Sequence, residues 1–221
     1  VPDMGSGKIL RVHPDTGEIQ TVAENFTTPI ALTIGSDQMV YIPELATGAV
    51  YRMNLEGGGR EKLAQIKPGL DNVAITDQGR LFVTSYWDAT IYEVSTDGSG
   101  QYKQLFPAGP NQILGIVEKG DDLLVADAIM VRRAVDGAYH YTKLNAWAAH
   151  GMPLPLSLAE GPGDQVLWTD AIHGAVAMGN PETGEFQPLA GGLQLPVSVL
   201  MGPAGDRLYV AEYNAGQIRE I

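Results

Sequence analysis

Two short stretches of the sequence carry polar side chains that are suited to an oxygen-rich ligand site. Asp71 and Asn72 follow the segment PGL, and Asn111 and Gln112 follow a Gly-Pro pair. Together they offer one carboxylate and three amides, and such oxygen groups are typical ligands of Ca²⁺ or Mg²⁺. The alternative is that they bond to bridging loops or ordered water, since a buried polar group without a partner costs about 1–3 kcal/mol.

Both stretches belong to a repeat that runs through the whole chain. Six similar segments begin at residues 1, 42, 83, 125, 168 and 210. Within each repeat, short runs rich in Val, Ile, Leu and Tyr alternate with turns rich in Gly, Asp and Pro, which is typical of strands joined by hairpins. Four strands in about 40–45 residues indicate a propeller blade. We therefore predict an all-β fold, a six-bladed β-propeller with four-stranded antiparallel blades.

The repeat predicts a single domain over residues 1–221. Complete blades are expected at residues 29–65, 69–106, 110–145 and 153–190, between a partial first blade at 1–25 and a partial last blade at 195–221. The N-terminal strands of the first blade are missing from this count. We expect residues upstream of Val1 to supply them, because an open propeller exposes an unpaired strand edge. A five-bladed ring, closed by pairing the N-terminal strands with the last blade, is the competing arrangement.

One position of the repeat is acidic in five of the six copies. The residues at this position are Asp3, Glu44, Ser85, Asp127, Asp170 and Glu212. A carboxylate directly after a strand can accept backbone N–H bonds within its own turn or from the next blade. We interpret these carboxylates as structural rather than catalytic.

The polar pairs occupy the start of the innermost strand in the third and fourth blades. The other blades carry apolar pairs at this position, which are Pro29-Ile30, Pro155-Leu156 and Pro196-Val197. Innermost strands line the central channel of a propeller, and ligands bind at its mouth. Trp147 and His150 lie in the longest apolar connection between blades, residues 145–155, which either forms a lid over this mouth or packs between two blades.

The segment PGLDNVAITDQGRLFVTSYWDATIYEVSTDG, residues 68–98, resembles the senescence-marker-protein and gluconolactonase family of six-bladed propellers, which hydrolyse sugar lactones. The resemblance implies that Asp71 is a catalytic residue and a metal ligand. It also implies that Asn111, in PNQILGIVEKGDDLLVAD, is a second metal ligand. The implied cofactor is a divalent metal, Ca²⁺ or alternatively Zn²⁺, Mn²⁺ or Mg²⁺. We expect substrate-binding residues beside this centre, namely Asn72, Gln112, Trp147 and His150.

The general pattern is also similar to NHL-repeat propellers and to streptogramin lyases, and LWTDAIHGAV, residues 167–176, resembles the YWTD propeller repeat. These resemblances leave three functions open. The first is metal-dependent hydrolysis of a lactone or related small ester at the channel mouth. The alternatives are a non-catalytic NHL-type propeller that binds a ligand or a protein, and an enzyme like the streptogramin lyases.

Charge and hydropathy narrow the range of partners. The formal net charge is −12, so a nucleic-acid backbone or an anionic membrane would repel the chain. Its uncharged apolar stretches are far shorter than the roughly 20 residues that cross a bilayer. We expect a small-molecule substrate or a protein partner, no nucleic acid and no membrane insertion.

Overall fold

The computed structural model describes residues 1–106, 112–120, 122–127, 130–144, 154–202 and 204–221. The described residues form six antiparallel sheets, in which strands adjacent in sequence are also adjacent in space. The chain divides into two compact units, Val1–Pro110 and Asn111–Ile221, and each contains three sheets. Each sheet corresponds to one copy of the sequence repeat, and we call the sheets blades one to six in chain order.

The first unit contains blades one to three. Blade one consists of β1 (Pro2–Asp3), β2 (Lys8–Val12) and β3 (Ile19–Ala23). Blade two consists of β4 (Thr33–Ile34), β5 (Met39–Pro43), β6 (Ala49–Asn54) and β7 (Glu61–Gln65). Blade three consists of β8 (Leu70–Ile75), β9 (Leu81–Ser85), β10 (Thr90–Val94) and β11 (Tyr102–Gln104).

The second unit contains blades four to six. Blade four consists of β12 (Ile113–Lys119), β13 (Asp122–Asp127), β14 (Val131–Val135) and β15 (Ala138–Tyr141). Blade five consists of β16 (Leu158–Glu160), β17 (Val166–Asp170), β18 (Ala175–Gly179) and β19 (Phe186–Ala190). Blade six consists of β20 (Pro196–Met201), β21 (Leu208–Glu212) and β22 (Gln217–Glu220).

The first blade begins with a short strand at the N-terminus of the sequence. Pro2 and Asp3 form β1 because they pair with Ile9 and Lys8 of β2. Blades one and six therefore each have three described strands, whereas blades two to five each have four.

Side-chain alternation along β5 connects the three blades of the first unit. Successive side chains of a strand point to opposite faces of the sheet. Val40 and Ile42 accordingly pack in a core shared with Ile9 of blade one. Tyr41, between them, packs in a second core with Leu81 of blade three. Blade two is thus buried on both faces, which explains why MVYI is apolar throughout rather than alternating.

The middle blade of the second unit has the same arrangement. Val166 and Trp168 of β17 pack in a core with Leu124 of blade four. Leu167 points to the opposite face and packs with Val210 of blade six. Each of these three β17 residues is buried, so the cores on the two faces stabilise both blade contacts of this unit.

Glycine is required in the turn between the second and third strands of several blades. Gly48 and Gly174 have φ angles of 72° and 61°, a region in which side chains are strained. A Cβ atom at Gly174 would lie 2.3 Å from the carbonyl oxygen of Leu193. The turn therefore approaches the chain that leads into the next blade so closely that no side chain fits.

Within the ranges described above, no helix is both long enough and apolar enough to cross a membrane.

Candidate active site

The repeated carboxylates after the second strand hold the turns of the blades. Asp170 accepts the backbone N–H groups of Ile172 and His173 at 3.2 and 3.1 Å, and its other oxygen lies 2.6 Å from Nδ1 of His173. Asp3 accepts the N–H groups of Gly5 and Ser6 in the same way. A short Asp side chain thus satisfies the donors of its own turn.

The two glutamates at this position have a different partner because their side chains are one methylene longer. Glu44 accepts the backbone N–H of Thr27 at 2.5 Å, and Glu212 accepts the N–H of Gln194 at 2.6 Å. Both donors lie in the segment that leads into the same blade. The bond from Gln194 lowers the pKa of Glu212. These bonds confirm the structural interpretation of the carboxylates.

The fourth blade uses its carboxylate in a buried ion pair. Oδ2 of Asp127 lies 2.5 Å from Nε of Arg132, and both side chains are almost fully buried. Oδ1 of Asp127 accepts the backbone N–H of Met130, and the guanidinium of Arg132 stacks on the ring of Tyr141 at 4.6 Å. The positive charge is therefore satisfied by one carboxylate and one aromatic face.

Asp71 and Asn72 form a bulge at the start of β8. Leu70 pairs with Ser85 and Val73 pairs with Val83, so two residues on β8 stand opposite the single residue Thr84. The backbone N–H of Asn72 donates to Oγ1 of Thr84 at 2.8 Å, and Thr84 is fully buried. A bulge reorients the side chains that it carries, and bulges occur often beside active sites.

The same bulge occurs in other blades, and the strand register identifies the residues that correspond to Asp71. In blade four, Ile113 pairs with Asp127 and Ile116 with Val125, so Leu114 occupies this place. In blade five, the N–H of Ser157 donates to Oγ1 of Thr169 at 3.2 Å, as Asn72 does to Thr84. The residues in the place of Asp71 are Ile30, Leu114, Leu156 and Val197 in blades two, four, five and six. Asp71 is therefore the one ionisable residue at this position in the part of the chain that the structure describes.

This register corrects the sequence alignment of the polar pairs. The alignment set Asn111 at the position of Asp71, but Leu114 takes that position in blade four, three residues further along the chain. The alignment followed the similar Pro and polar residues of the two segments. Asn111 lies sixteen residues before Asp127, whereas Asp71 lies fourteen residues before Ser85, so the strand pairing is needed to find the true correspondence. Gly115 stands in the place of Asn72, where a Cβ atom would lie 2.7 Å from the backbone nitrogen of Leu158.

Burial changes the acidity of Asp71. Removal of the carboxyl group from water raises its pKa to about 7, and the hydrogen bond with the Asn72 side chain lowers it slightly. No Lys, Arg or His among the described residues contributes to this pKa. Asp71 therefore exchanges its proton near neutral pH, which is the property of a general acid or base.

The turn between β9 and β10 lies at the same end of blade three as Asp71, because β8 begins where β9 ends. It departs from the other turns at several positions. Ser85 replaces the carboxylate and accepts the N–H of Asp88 at 3.1 Å. Ala89 has a φ of 48° where blades two and five have glycine. Backbone strain of this kind is often found at functional sites.

Trp87, at the tip of this turn, is 64% exposed. Its neighbour Asp88 is held by the hydroxyl of Tyr92 at 2.8 Å and by Nζ of Lys67 at 3.4 Å. Asp88 therefore anchors the turn directly after the indole. Sequence reasoning treated this segment only as a hairpin and did not select Trp87.

The other residues predicted for the site lie in different parts of the chain. Asn72 lies in the bulge beside Asp71, and the two side chains are hydrogen-bonded. Gln112 is exposed and lies in the second unit. Asn111, Trp147 and His150 lie outside the described residues. Over the described ranges, no group of three or more His, Asp or Glu side chains is arranged to hold a metal ion.

The histidines of the described residues lie on turns and outer strands. His13 accepts backbone N–H groups of its own turn, and His140 is exposed on β15. His173 is bonded to Asp170 as described above. Each of these three residues has a surface or turn-forming position.

Comparisons with known proteins identify the fold. No protein-family model and no curated protein matches the sequence significantly. A chain in the crystal structure of a nidogen/laminin complex has a TM-score of 0.80 at 21% identity, covering 98% of this chain and 86% of that one. Virginiamycin B lyase from Staphylococcus aureus has a TM-score of 0.70 at 15% identity, covering 97% of this chain and 73% of the lyase. A streptogramin B lyase structure has a TM-score of 0.70 at 14% identity, covering 98% of this chain and 72% of the lyase. These similarities confirm that the chain has the six-bladed β-propeller fold.

Proposed function

We propose that this protein is a hydrolase of lactones or related small esters, with Asp71 at its reactive centre. One observation carries the proposal: among the described blades, Asp71 is the single ionisable residue at the bulge position, and desolvation raises its pKa to about 7. A carboxyl group with this pKa is half protonated at neutral pH. Acid–base catalysis is most effective when the pKa of the catalytic group lies near the working pH.

In the reaction, ionised Asp71 accepts a proton from a water molecule as the water oxygen attacks the ester carbonyl. The carbon–oxygen bond of the ester then breaks, and Asp71 returns the proton to the leaving alkoxide. The products are a carboxylic acid and an alcohol, which are one molecule when the substrate is a lactone. The Asn72 side chain orients the carboxyl group through the hydrogen bond that they share.

The metal is a separate part of the proposal. The carboxylate of Asp71 fits a divalent cation in its donor chemistry, because it is a hard oxygen ligand with no positive neighbour among the described residues. Asp71 would be a ligand of Ca²⁺, or alternatively of Zn²⁺, Mn²⁺ or Mg²⁺. Such a cation would polarise the ester carbonyl and lower the pKa of Asp71. Asn72 is proposed to contact the substrate beside Asp71.

The test compares two Asp→Asn variants. One lies near the start of β8, and the other lies in the turn that follows β8. Asp71→Asn removes the acid–base group, whereas Asp77→Asn changes an exposed carboxylate in the turn after β8. On a panel of γ-lactones, δ-lactones and linear esters, we expect the Asp71 variant to lose at least about 100-fold in kcat/KM and the Asp77 variant to match the wild type. Equal activity of the Asp71 variant would contradict the proposal.

A chelator separates the two parts of the proposal. Loss of activity with EDTA, restored by Ca²⁺, Zn²⁺, Mn²⁺ or Mg²⁺, supports a metal at Asp71. If activity is unchanged with EDTA but lost in Asp71→Asn, the metal is rejected and Asp71 remains the proposed base.

A lyase is the second candidate, and the similarity to the virginiamycin and streptogramin B lyase structures favours it. In a lyase, Asp71 would remove a proton from carbon while the neighbouring carbon–oxygen bond breaks, so no water is consumed. Reaction in ¹⁸O-labelled water distinguishes the two, since a hydrolase places ¹⁸O in the acid product and a lyase does not.

A protein-binding propeller is the third candidate. The second unit exposes Ile172 and Tyr213 on the turns after β17 and β21, at 58% and 62%. The similar chain in the nidogen/laminin complex belongs to a protein assembly. A chain that turns over none of the panel, at any pH and with any of the four metals, would favour this candidate over both enzymes.

A further inference from the structure

Trp87 is fixed against the backbone of Gly69. A Cβ atom at Gly69 would lie 2.6 Å from Cγ and 2.7 Å from Cδ2 of the indole, so the ring occupies the space that any side chain would need. Gly69 has a φ of 102°, which also favours glycine. The backbone contact is completed by the N–H of Tyr86, which donates to the carbonyl of Gly69 at 2.8 Å.

The backbone bond recurs in blades two, five and six, but the contact of an indole with a glycine occurs only in blade three among the described blades. By the register of the bulge, the residues in the place of Gly69 are Thr28, Gln112, Leu154 and Leu195 in blades two, four, five and six. Each of them carries a side chain. Blade five has Ile172 in the place of Trp87, so it lacks both the glycine and the aromatic ring.

The indole has one side against the backbone and is otherwise open. With 64% of Trp87 exposed, the ring presents an aromatic face to solvent, although a Trp side chain is normally well buried. Asp71 lies two positions after Gly69, so their α-carbons are at most about 7 Å apart. The indole therefore contacts the same short backbone segment that carries Asp71.

We propose that Trp87 is a platform on which the ring of a cyclic substrate stacks, so that the enzyme prefers lactones to linear esters. The inference rests on the proposed hydrolase function and narrows its substrate class. A lactone ring is rigid and presents a flat C–H face to the indole. A linear ester must lose rotational freedom before it can make the same contact. Trp87 acts here as a binding and specificity residue, and Asp71 performs the proton transfer.

The experiment measures binding and turnover separately in three variants. Trp87→Ala removes the platform, Trp87→Phe keeps an aromatic face, and Ile172→Ala is the matched change in blade five. The binding probes are δ-valerolactam and N-ethylpropanamide, a cyclic and an open-chain amide of the same carbon number, observed by saturation-transfer NMR. The turnover probes are δ-valerolactone and ethyl propanoate.

For the wild type and for Ile172→Ala, we expect the lactam to bind more tightly than the open-chain amide. Trp87→Ala should weaken lactam binding and raise the KM of the lactone roughly fivefold, as expected for loss of an aromatic contact, with kcat little changed. Trp87→Phe should retain most of the preference. Melting temperatures of all variants check that the fold is intact. We expect it to be, because Trp87 is largely exposed.

Three results would overturn the platform: an unchanged lactam preference in Trp87→Ala, no preference in the wild type, or an equal loss in Ile172→Ala. Lactam binding requires no hydrolysis, so its outcome is independent of the proposed reaction. A Trp87-dependent lactam preference without any ester turnover would reject the hydrolase and keep the platform. Turnover that depends on Asp71 but not on Trp87 would reject the platform alone.

Discussion

Blades three and five have the same local architecture and carry different residues on it. In both, a buried threonine, Thr84 or Thr169, accepts the backbone N–H of a residue in the first-strand bulge. Blade five has Leu156 in the bulge and a turn held by Asp170 and Gly174. Blade three has Asp71 in the bulge and a turn with Ser85 and the strained Ala89.

The comparison shows what separates a structural blade from a candidate site in this molecule. Blade three differs from blade five in three ways that cost stability: a partly buried carboxyl group, a turn without the repeated carboxylate and a strained backbone. Natural proteins retain such costs mainly where function requires them. Exchanging residues between the two blades is therefore the most direct way to test the difference.

The largest expected effect is that of Asp71→Asn on stability at alkaline pH. The folded state raises the pKa of Asp71 from 3.8 to about 7, so between these values the folded chain holds a proton that the unfolded chain has lost. Stability therefore falls as pH rises through this window, by at most about 1.4 kcal/mol per pH unit. Asp71→Asn lacks this cost and should exceed the wild type by roughly 3 kcal/mol at pH 8 in the free energy of unfolding.

Urea titrations of both proteins at pH 4 and pH 8 measure the effect, with Asp77→Asn as the exposed control. A difference between wild type and Asp71→Asn that is the same at both pH values would show that Asp71 has an ordinary pKa.

The second-largest effect on stability is expected from Gly174→Ala, in the turn between β17 and β18 of blade five. Gly174→Ala places a Cβ atom 2.3 Å from the carbonyl oxygen of Leu193 and forces a side chain to a φ of 61°. We expect a loss of roughly 2–3 kcal/mol in the free energy of unfolding. Gly163→Ala, in another turn of the same blade, has a φ of 59° and open space around the added carbon, and should lose only about 1 kcal/mol. Equal losses would mean that the contact with Leu193 is unimportant.

Blades three and five share the hydrogen bond from the bulge N–H to a buried threonine, and its removal should destabilise the protein in either blade. Thr84→Val and Thr169→Val keep the shape of the side chain and remove the acceptor of the bulge N–H. Each should cost about 1–3 kcal/mol, with the larger cost at Thr84 because its bond is 2.8 Å rather than 3.2 Å. Thermal unfolding measures both. A loss in one blade only would show that the two bulges are not equivalent.

The smallest expected effect is a gain. Ala89→Gly relieves a backbone with a φ of 48° and makes the turn of blade three like those of blades two and five. We expect about 1 kcal/mol of stabilisation by urea titration. Ala46→Gly, in the corresponding turn of blade two, relieves no such strain and should be slightly destabilising. A loss in both variants would show that the strain at Ala89 is negligible.

Much of the fold could be predicted from the sequence because its signals are local. Gly, Asp and Pro mark the turns, and the apolar runs MVYI and VLWT show strands that are buried on both faces, as β5 and β17 are. The structural role of Asp170 and Glu44 also followed from a carboxylate placed directly after a strand. These features need only short-range chemistry and the count of repeats.

The candidate site was less predictable because it depends on register and on pairing. The segments before β8 and β12 differ in length, so the similar polar residues placed Asn111 where the strand pairing places Leu114. Trp87 lies eighteen residues from Gly69 in the sequence, and only the pairing of β8 with β9 brings the two together. The raised pKa of Asp71 depends on burial by surrounding chain, which its neighbours in sequence do not determine.

The central claim is that blade three carries a carboxyl group prepared for proton transfer near neutral pH. Its most direct test is the titration of the Asp71 carboxyl carbon by ¹³C NMR in the folded protein, with the resonance assigned from its absence in Asp71→Asn. The account predicts a midpoint near pH 7, well above the ordinary value of 3.8. A midpoint near 4 would contradict it.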